Sequence, residues 1–145
     1  MIQLRMGLRT LIIEQRAFYR SIVSIFCPIL NETVYFTSEG FNHLLYESYW
    51  KPRSPAEQFL KLKCLSMVPE VVKNCSKKAN IRKMRRKVKG KWKNGFHFEL
   101  VHEIKKGASV RVIVERIGTG RYKFWSVMPH NNKSKKALTP TKKPS

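Results

Sequence analysis

The chain lacks aspartate and has few acidic residues of any kind. Its 145 residues include nine acids, all glutamate, against 30 lysines and arginines, which gives a formal net charge of +21. A Ser-His-Asp triad, a paired-aspartate protease and an aspartate-rich magnesium site therefore lack their usual residues. The surplus of positive charge instead favours a polyanionic partner.

Cysteines and long apolar runs are also scarce. Cys27, Cys64 and Cys75 are too few and too scattered for a disulfide framework, and no C-x-x-C pair starts a zinc site. Charged residues interrupt the apolar runs near the N-terminus, so none approaches the roughly 20 apolar residues of a transmembrane helix. No clean secretory signal is found either. We therefore expect a reduced, cytoplasmic protein with no metal site, no cofactor and no membrane partner.

The positive charge is distributed unevenly along the chain. Residues 1–60 contain six basic and five acidic residues, whereas residues 61–145 contain 24 and four. Ten of the basic residues fall in the segment Lys77–Lys93, which contains no acid. Its interspersed apolar residues indicate either an amphipathic helix in contact with an anion or a mobile basic loop. Both alternatives expose the cations, which would supply salt-dependent affinity for a phosphate backbone.

The first half of the chain is predicted to be mostly helical. Apolar residues recur at helical spacing in three stretches, and Pro69 breaks the last of them. Ser54, Pro55 and Glu57 form a capping box, which marks the start of one helix. A β-branched and aromatic run predicts one short strand. The predicted elements are a helix over Leu8–Phe26 within an N-terminal extension of residues 1–30, a strand over Thr33–Thr37, a helix from Ser38 that ends before Pro52, and a helix from Ser54.

The last third is predicted to form strands. Apolar and polar residues alternate in Asn94–Ile104, Ser109–Ile117 and Arg121–Met128, with glycine-containing turns between them. These segments make a three-stranded antiparallel meander, with the strand Thr33–Thr37 at its edge. Residues 129–145 are polar, lysine-rich and aperiodic, which predicts a disordered basic tail. The fold class is α+β, with one domain over residues 31–128 and its helices on one face of a small antiparallel sheet.

Metal-free cleavage of a phosphodiester is compatible with this composition. It needs a proton carrier, cations for the phosphorane charge and a hydroxyl or amide donor. His130 falls in the expected tail, and His97 and His102 are most simply partly exposed histidines of a strand. His43 lies in the first turns of a predicted helix beside apolar residues, where a packing role and a chemical role both remain open.

Basic and aromatic residues of the predicted sheet offer further candidates. Cations on neighbouring strands either line one site or are ordinary solvated charges. Trp92 and Trp125 either stack on bases or pack in the core, whereas Phe96 is expected in the core. The basic residues concerned are Arg111, Arg116, Arg121 and Lys123.

Four segments together resemble a known family. They are Val34–Leu44, the capped helix Ser54–Met67, Arg111–Arg116 and Phe124–Met128. This combination resembles small phage- and mobile-element-associated proteins of the barnase/EndoU/colicin/RelE-like nuclease superfamily. The resemblance covers Val34 to Met128 and implies a small α+β metal-independent ribonuclease.

The resemblance also implies roles for individual residues. A histidine of the first helix corresponds to His43, a basic residue of the sheet to Arg111 or Arg116, and a hydroxyl of the last strand to Ser126. The arginine that members often carry in the second helix is replaced here by lysines. The residues expected to bind RNA are Lys61, Lys63, Arg82, Lys83, Arg85, Arg86, Lys87, Lys89, Lys91 and Lys123.

The leading hypothesis is an endoribonuclease that uses the 2′-hydroxyl as internal nucleophile. It includes a toxin or mobile-element role, with RNA and an acidic antitoxin or immunity protein as partners. The alternatives are a non-catalytic RNA- or DNA-binding module and a ribosome-associated protein, since basic residues grip phosphates in these proteins too.

Overall fold

The computed structural model of the chain describes residues 2–77 and 79–130. In this part of the chain, four helices accompany a six-stranded, mostly antiparallel sheet and a separate two-stranded hairpin, which confirms the α+β class. In chain order the elements are α1 (Ile2–Ile22), β1 (Ser24–Cys27), β2 (Glu32–Tyr35), α2 (Ser38–Leu45), β3 (Tyr46–Ser48), β4 (Lys51–Pro52), α3 (Pro55–Leu65), α4 (Val68–Asn74), β5 (Asn80–Val88), β6 (Lys91–Lys105), β7 (Ala108–Ile117) and β8 (Tyr122–His130).

The N-terminal segment is built into the fold. Leu8 and Tyr19 of α1 are buried in the main core, and β1 pairs with β2 in the large sheet. The predicted helix over Leu8–Phe26 is wrong at its C-terminal end, because the backbone of Val23 has a φ of 60° and the chain continues as a strand. Positive φ is costly for a β-branched residue and cannot continue a right-handed helix.

The basic segment Lys77–Lys93 is mostly β-structure, so both predictions for it are wrong. Residues from Asn80 to Val88 form β5, which pairs with β6 from Lys91 to Glu99 around a two-residue turn. Lys89 and Gly90 in that turn both have positive φ, as hairpin turns of this length require. The meander therefore has four strands instead of the predicted three.

The strand order of the large sheet is β1-β2-β8-β7-β6-β5. The predicted strand at Thr33–Thr37 appears as β2 at Glu32–Tyr35, and its position beside the meander is confirmed. It pairs with β8 in parallel at only two positions, opposite Tyr122 and Lys123. Beyond these positions the chain leaves the sheet to form α2, so α2 and α3 pack along the rest of β8. Pro129 and His130 extend β8, and the remainder of the expected tail lies outside the described residues.

The core lies between the helices and one face of the meander. Val110, Val112 and Val114 of β7 are buried there, as their alternation predicts. The opposite face of β7 is also covered, because Ile113 and Glu115 are buried. The middle of β7, from Val112 to Glu115, is therefore buried on both faces.

The capped helix starts as predicted. The hydroxyl of Ser54 accepts a hydrogen bond from the backbone N–H of Glu57 at 3.1 Å, and Pro55 occupies the first turn of α3. The three cysteines are free and buried. No helix in the described ranges is long and apolar enough to span a bilayer.

Two local features position the residues between α2 and β8. In the β7–β8 pairing, Ile113 lies opposite Ser126 and Val114 opposite Phe124, so Trp125 is an extra residue that forms a β-bulge. On the helix side, Gly40 lets α2 approach β8 closely, because a Cβ there would lie 2.6 Å from the carbonyl oxygen of Phe124. His43, one turn further along α2, is thereby brought to the bulge.

Candidate functional site

His43 is fixed in place by Arg53, which precedes α3. The Nε of Arg53 donates to the backbone carbonyl of His43 at 3.0 Å, and its Nη2 lies 3.3 Å from the Nε2 of the ring. Because a guanidinium only donates, Nε2 accepts and the proton of the neutral ring is on Nδ1. Glu57 holds the other side of the guanidinium at 3.1 Å. His43 lies in the last turn of α2, which is later in the helix than the sequence suggested.

The ring of His43 stacks on the indole of Trp125. Their centroids are 4.2 Å apart with an angle of 24° between the planes. The guanidinium of Arg86 contacts the same indole, 4.4 Å from its centroid. His43, Trp125 and Arg86 all line a cavity of about 590 Å³, which also reaches Tyr46 and Tyr49 of the β3–β4 hairpin. The cavity thus combines an imidazole, a cation and aromatic surfaces.

The pKa of His43 is lowered from 6.5 to about 4. Burial contributes most, and the positive charges of Arg53, Lys61 and Arg86 add to it, while Glu115 acts in the opposite direction. The ring is therefore neutral near pH 7 and can accept a proton. An anion bound beside these cations would offset their charge and raise this pKa.

Lys61 is buried in α3 and connects this helix to β8. Its ammonium donates to the hydroxyl of Ser126 at 3.1 Å and to the carbonyl of Val127 at 3.2 Å. Burial lowers the pKa of Lys61, and Arg53 lowers it further. Among the described ion pairs, none gives Lys61 a carboxylate partner. A buried cation that is satisfied only by neutral acceptors is costly, and a nearby anion would reduce that cost.

Glu115 organises the strand side of the site. Its carboxylate, which is buried in β7, forms an ion pair with Arg86 of β5 and lies 2.9 Å from the Nε2 of His97 in β6. His97 also lies near Trp125, with the ring centroids 6.2 Å apart. Since Glu115 fixes Arg86, it also fixes the cation that faces the cavity.

The structure brings together some of the predicted catalytic residues. His43 stacks on Trp125, and Ser126 is the next residue after Trp125 in the chain. Ser126 is buried, however, its hydroxyl accepts a hydrogen bond from Lys61, and it does not line the cavity. Arg111 is near enough to Lys61 to lower its pKa, and its guanidinium contacts Met128 and lies 4.0 Å from Glu99.

Arg116 lies elsewhere. Its Nε donates to the carbonyl of Gly120, and its guanidinium packs over the ring of Tyr122. These contacts hold the turn between β7 and β8, and Arg116 does not line the cavity that contains His43.

The predicted RNA-binding residues divide into three groups. Lys61 is buried at the centre of the site, whereas Lys63, two residues later, is exposed above the ring of Phe59. Lys123 lies opposite Glu115 in the β7–β8 register. The third group is in the β5–β6 hairpin, where Arg86 is half-buried and lines the cavity. The other predicted cations of this hairpin are exposed: Arg82, Lys83, Arg85, Lys87, Lys89 and Lys91.

Sequence reasoning missed three residues of the site. Arg53 gave no signal apart from its place before a helix cap. Alternation alone places Glu115 on the polar face of its strand and predicts a partly exposed His97, and neither pattern indicates that the two side chains meet. Their register, in which His97 lies directly opposite Glu115, is a property of strand pairing alone.

Within residues 2–77 and 79–130, no three His, Cys, Asp or Glu side chains are grouped so that they could hold a metal ion. Comparison of the chain with known protein families, with curated proteins and with solved structures finds no match.

Proposed function

We propose that the protein is an endoribonuclease that cleaves RNA by attack of the 2′-hydroxyl on the adjacent phosphate. One observation supports this most strongly: His43 lines a cavity, and burial together with the nearby cations Arg53, Lys61 and Arg86 lowers its pKa so that the ring is neutral. Such a site pairs a proton acceptor with a place for an anion, which are the two requirements of this reaction.

In the proposed mechanism His43 is the general base. Its Nε2 takes the proton of the 2′-hydroxyl, and the 2′-oxygen bonds to phosphorus. The bond to the 5′-oxygen then breaks, and this oxygen takes a proton from water in the open cavity, which leaves a cyclic phosphate on one fragment and a 5′-hydroxyl on the other. The 2′-hydroxyl displaces the Nη2 of Arg53 from its 3.3 Å contact with Nε2, while the negative charge of the phosphate lies beside Arg86. The same negative charge raises the pKa of His43 towards neutrality, where a base is most effective.

Arg86 and Lys61 stabilise the negative charge of the phosphorane in different ways. Arg86 lines the cavity and contacts a phosphate oxygen directly. Lys61 does not line the cavity, so it acts through its field and through the position it gives to β8. Ser126 has a role different from the one expected by resemblance, because its hydroxyl accepts from Lys61 and thus positions that ammonium.

The test is cleavage of labelled RNA by the purified protein in the presence of EDTA. His43→Ala should abolish cleavage, while His102→Ala should retain it, because His102 lies beside Glu70 and outside the cavity. The pH dependence of kcat/KM reports the pKa of groups in the free protein. Its acid limb should therefore have an apparent pKa near 4, well below that of an ordinary histidine. Cleavage that persists unchanged in His43→Ala would refute the mechanism.

A second function, binding of nucleic acid without cleavage, is favoured by the exposed cations of the β5–β6 hairpin. Most of them lie outside the cavity, where they grip a backbone without contributing to chemistry. In that case RNA would be retained intact at every pH, and affinity would fall steeply with salt.

A further inference from the structure

The β3–β4 hairpin exposes aromatic side chains that folding does not explain. Tyr49 and Trp50 form its turn, and each is 83% exposed. Their described ring contact is with each other, with centroids 4.5 Å apart in an edge-to-face arrangement. Adjacent, almost fully exposed aromatic residues contribute little to a core and commonly mark an interaction surface.

This aromatic tip adjoins the cavity. Tyr49 and Tyr46 line it from the hairpin, while Arg86 and Trp125 line it from the sheet. Arg86 belongs to β5, whose other cations continue along the β5–β6 hairpin. Aromatic surfaces therefore lie on one side of His43 and a row of positive charge on the other.

We propose that the substrate is single-stranded RNA and that Tyr49 and Trp50 stack on bases flanking the scissile phosphate. The strand then runs from the aromatic tip, past His43 and Arg86, and along the cations of β5. This inference rests on the proposed function for the position of the scissile phosphate. Aromatic rings bind bases of any sequence through their faces, which are accessible in single strands and covered in a duplex.

The charge distribution supports RNA over an apolar partner at this tip. Lys51 in β4 is paired with Glu47 in β3 at 3.3 Å, so the hairpin itself contributes no net charge through this pair. The phosphates are instead met by exposed cations on the same face of the sheet as Arg86, namely Arg82 in β5 and Lys93, which lies opposite Arg86 in β6. A surface that places ring faces next to separate positive charge matches the alternation of base and phosphate in a single strand.

The test is binding of a fluorescent 2′-O-methyl RNA of about ten nucleotides, measured by anisotropy at fixed salt. This oligonucleotide has no free 2′-hydroxyl, so it reports binding whether or not the protein is a nuclease. We expect the double variant Tyr49→Ala/Trp50→Ala to bind about tenfold or more weakly than the natural protein. Phe26→Ala, which removes an aromatic side chain 52% exposed on β1 at the other end of the sheet, should change affinity by less than about twofold.

Two further measurements complete the test. The natural protein should bind the single strand more tightly than a duplex of the same sequence, and the double variant should lose that preference. The salt dependence of RNA affinity should be the same in both proteins, because the double substitution removes no phosphate contact. Circular dichroism checks that both variants fold. Unchanged RNA affinity in the double variant, as expected if the tip binds another protein, would overturn the proposal, as would equal affinity of the natural protein for duplex. Absence of RNA cleavage by the natural protein would instead refute only the proposed function and leave this proposal standing.

Discussion

Replacing His43 with glutamine should make the fold less sensitive to acid. The pKa of the folded ring is about 4, whereas that of the unfolded chain is the ordinary 6.5. As the pH falls below 6.5 the unfolded chain takes up a proton that the folded protein does not, so stability is complete above this pH and declines as the pH approaches 4. The glutamine variant has no such group to titrate.

The size of the effect follows from the two pKa values. A difference of about 2.5 pH units corresponds to at most about 3.4 kcal/mol. Because His43 is only partly buried, solvent screening reduces this to about 1–2 kcal/mol. The measurement is the free energy of unfolding in urea near pH 7 and near pH 4, for the natural protein and for His43→Gln. Since the glutamates contribute equally to both, the natural protein should lose about 1–2 kcal/mol more on acidification. An identical loss in both proteins would refute the assignment of a low pKa.

Two further predictions concern the surroundings of this histidine. Lys61→Met removes a positive charge that lowers the pKa of His43, so it should shift the acid limb of the cleavage profile to higher pH and slow the reaction, whereas Lys63→Met should do neither. An unshifted profile in Lys61→Met would show that Lys61 has no electrostatic role. Gly40→Ala should destabilise the protein by about 1–3 kcal/mol in a urea titration, since its Cβ would meet the carbonyl of Phe124 at 2.6 Å. A variant as stable as the natural protein would show that α2 can move away from β8 without cost.

Local signals predicted the elements that depend on neighbouring residues. The capping box at Ser54 fixed the start of α3, and alternation along Ser109–Ile117 identified β7 and its core face. The basic segment was misread because its apolar residues Ile81, Met84 and Val88 also fit a helical period. Pairing with β6 determines its conformation, and the residues of the segment alone do not predict that pairing.

The candidate site depended still more on distant contacts. His43 was identified from its type and its helix, but its lowered pKa depends on burial in the fold and on the charges of Arg53, Lys61 and Arg86, which are distant in sequence or belong to other parts of the chain. Lys61 was expected to grip RNA at the surface, yet it is 7% exposed and bonded to β8. Burial of one lysine among several depends on how α3 packs against β8, which the sequence of α3 alone does not show.

The cations of β5 have a consequence for how the protein behaves in concentrated solution. β5 is one of the two edge strands of the large sheet, so one side of its nine-residue backbone pairs with β6 and the other side is open to pairing with a second molecule. Arginine and lysine side chains along such an edge repel another copy and so keep the molecules apart. Substitution of these cations by apolar residues would therefore bring aggregation together with weaker binding. Replacement by glutamine removes the charge without adding an apolar edge, and a bound polyanion, by neutralising the strand, would promote association of the complex.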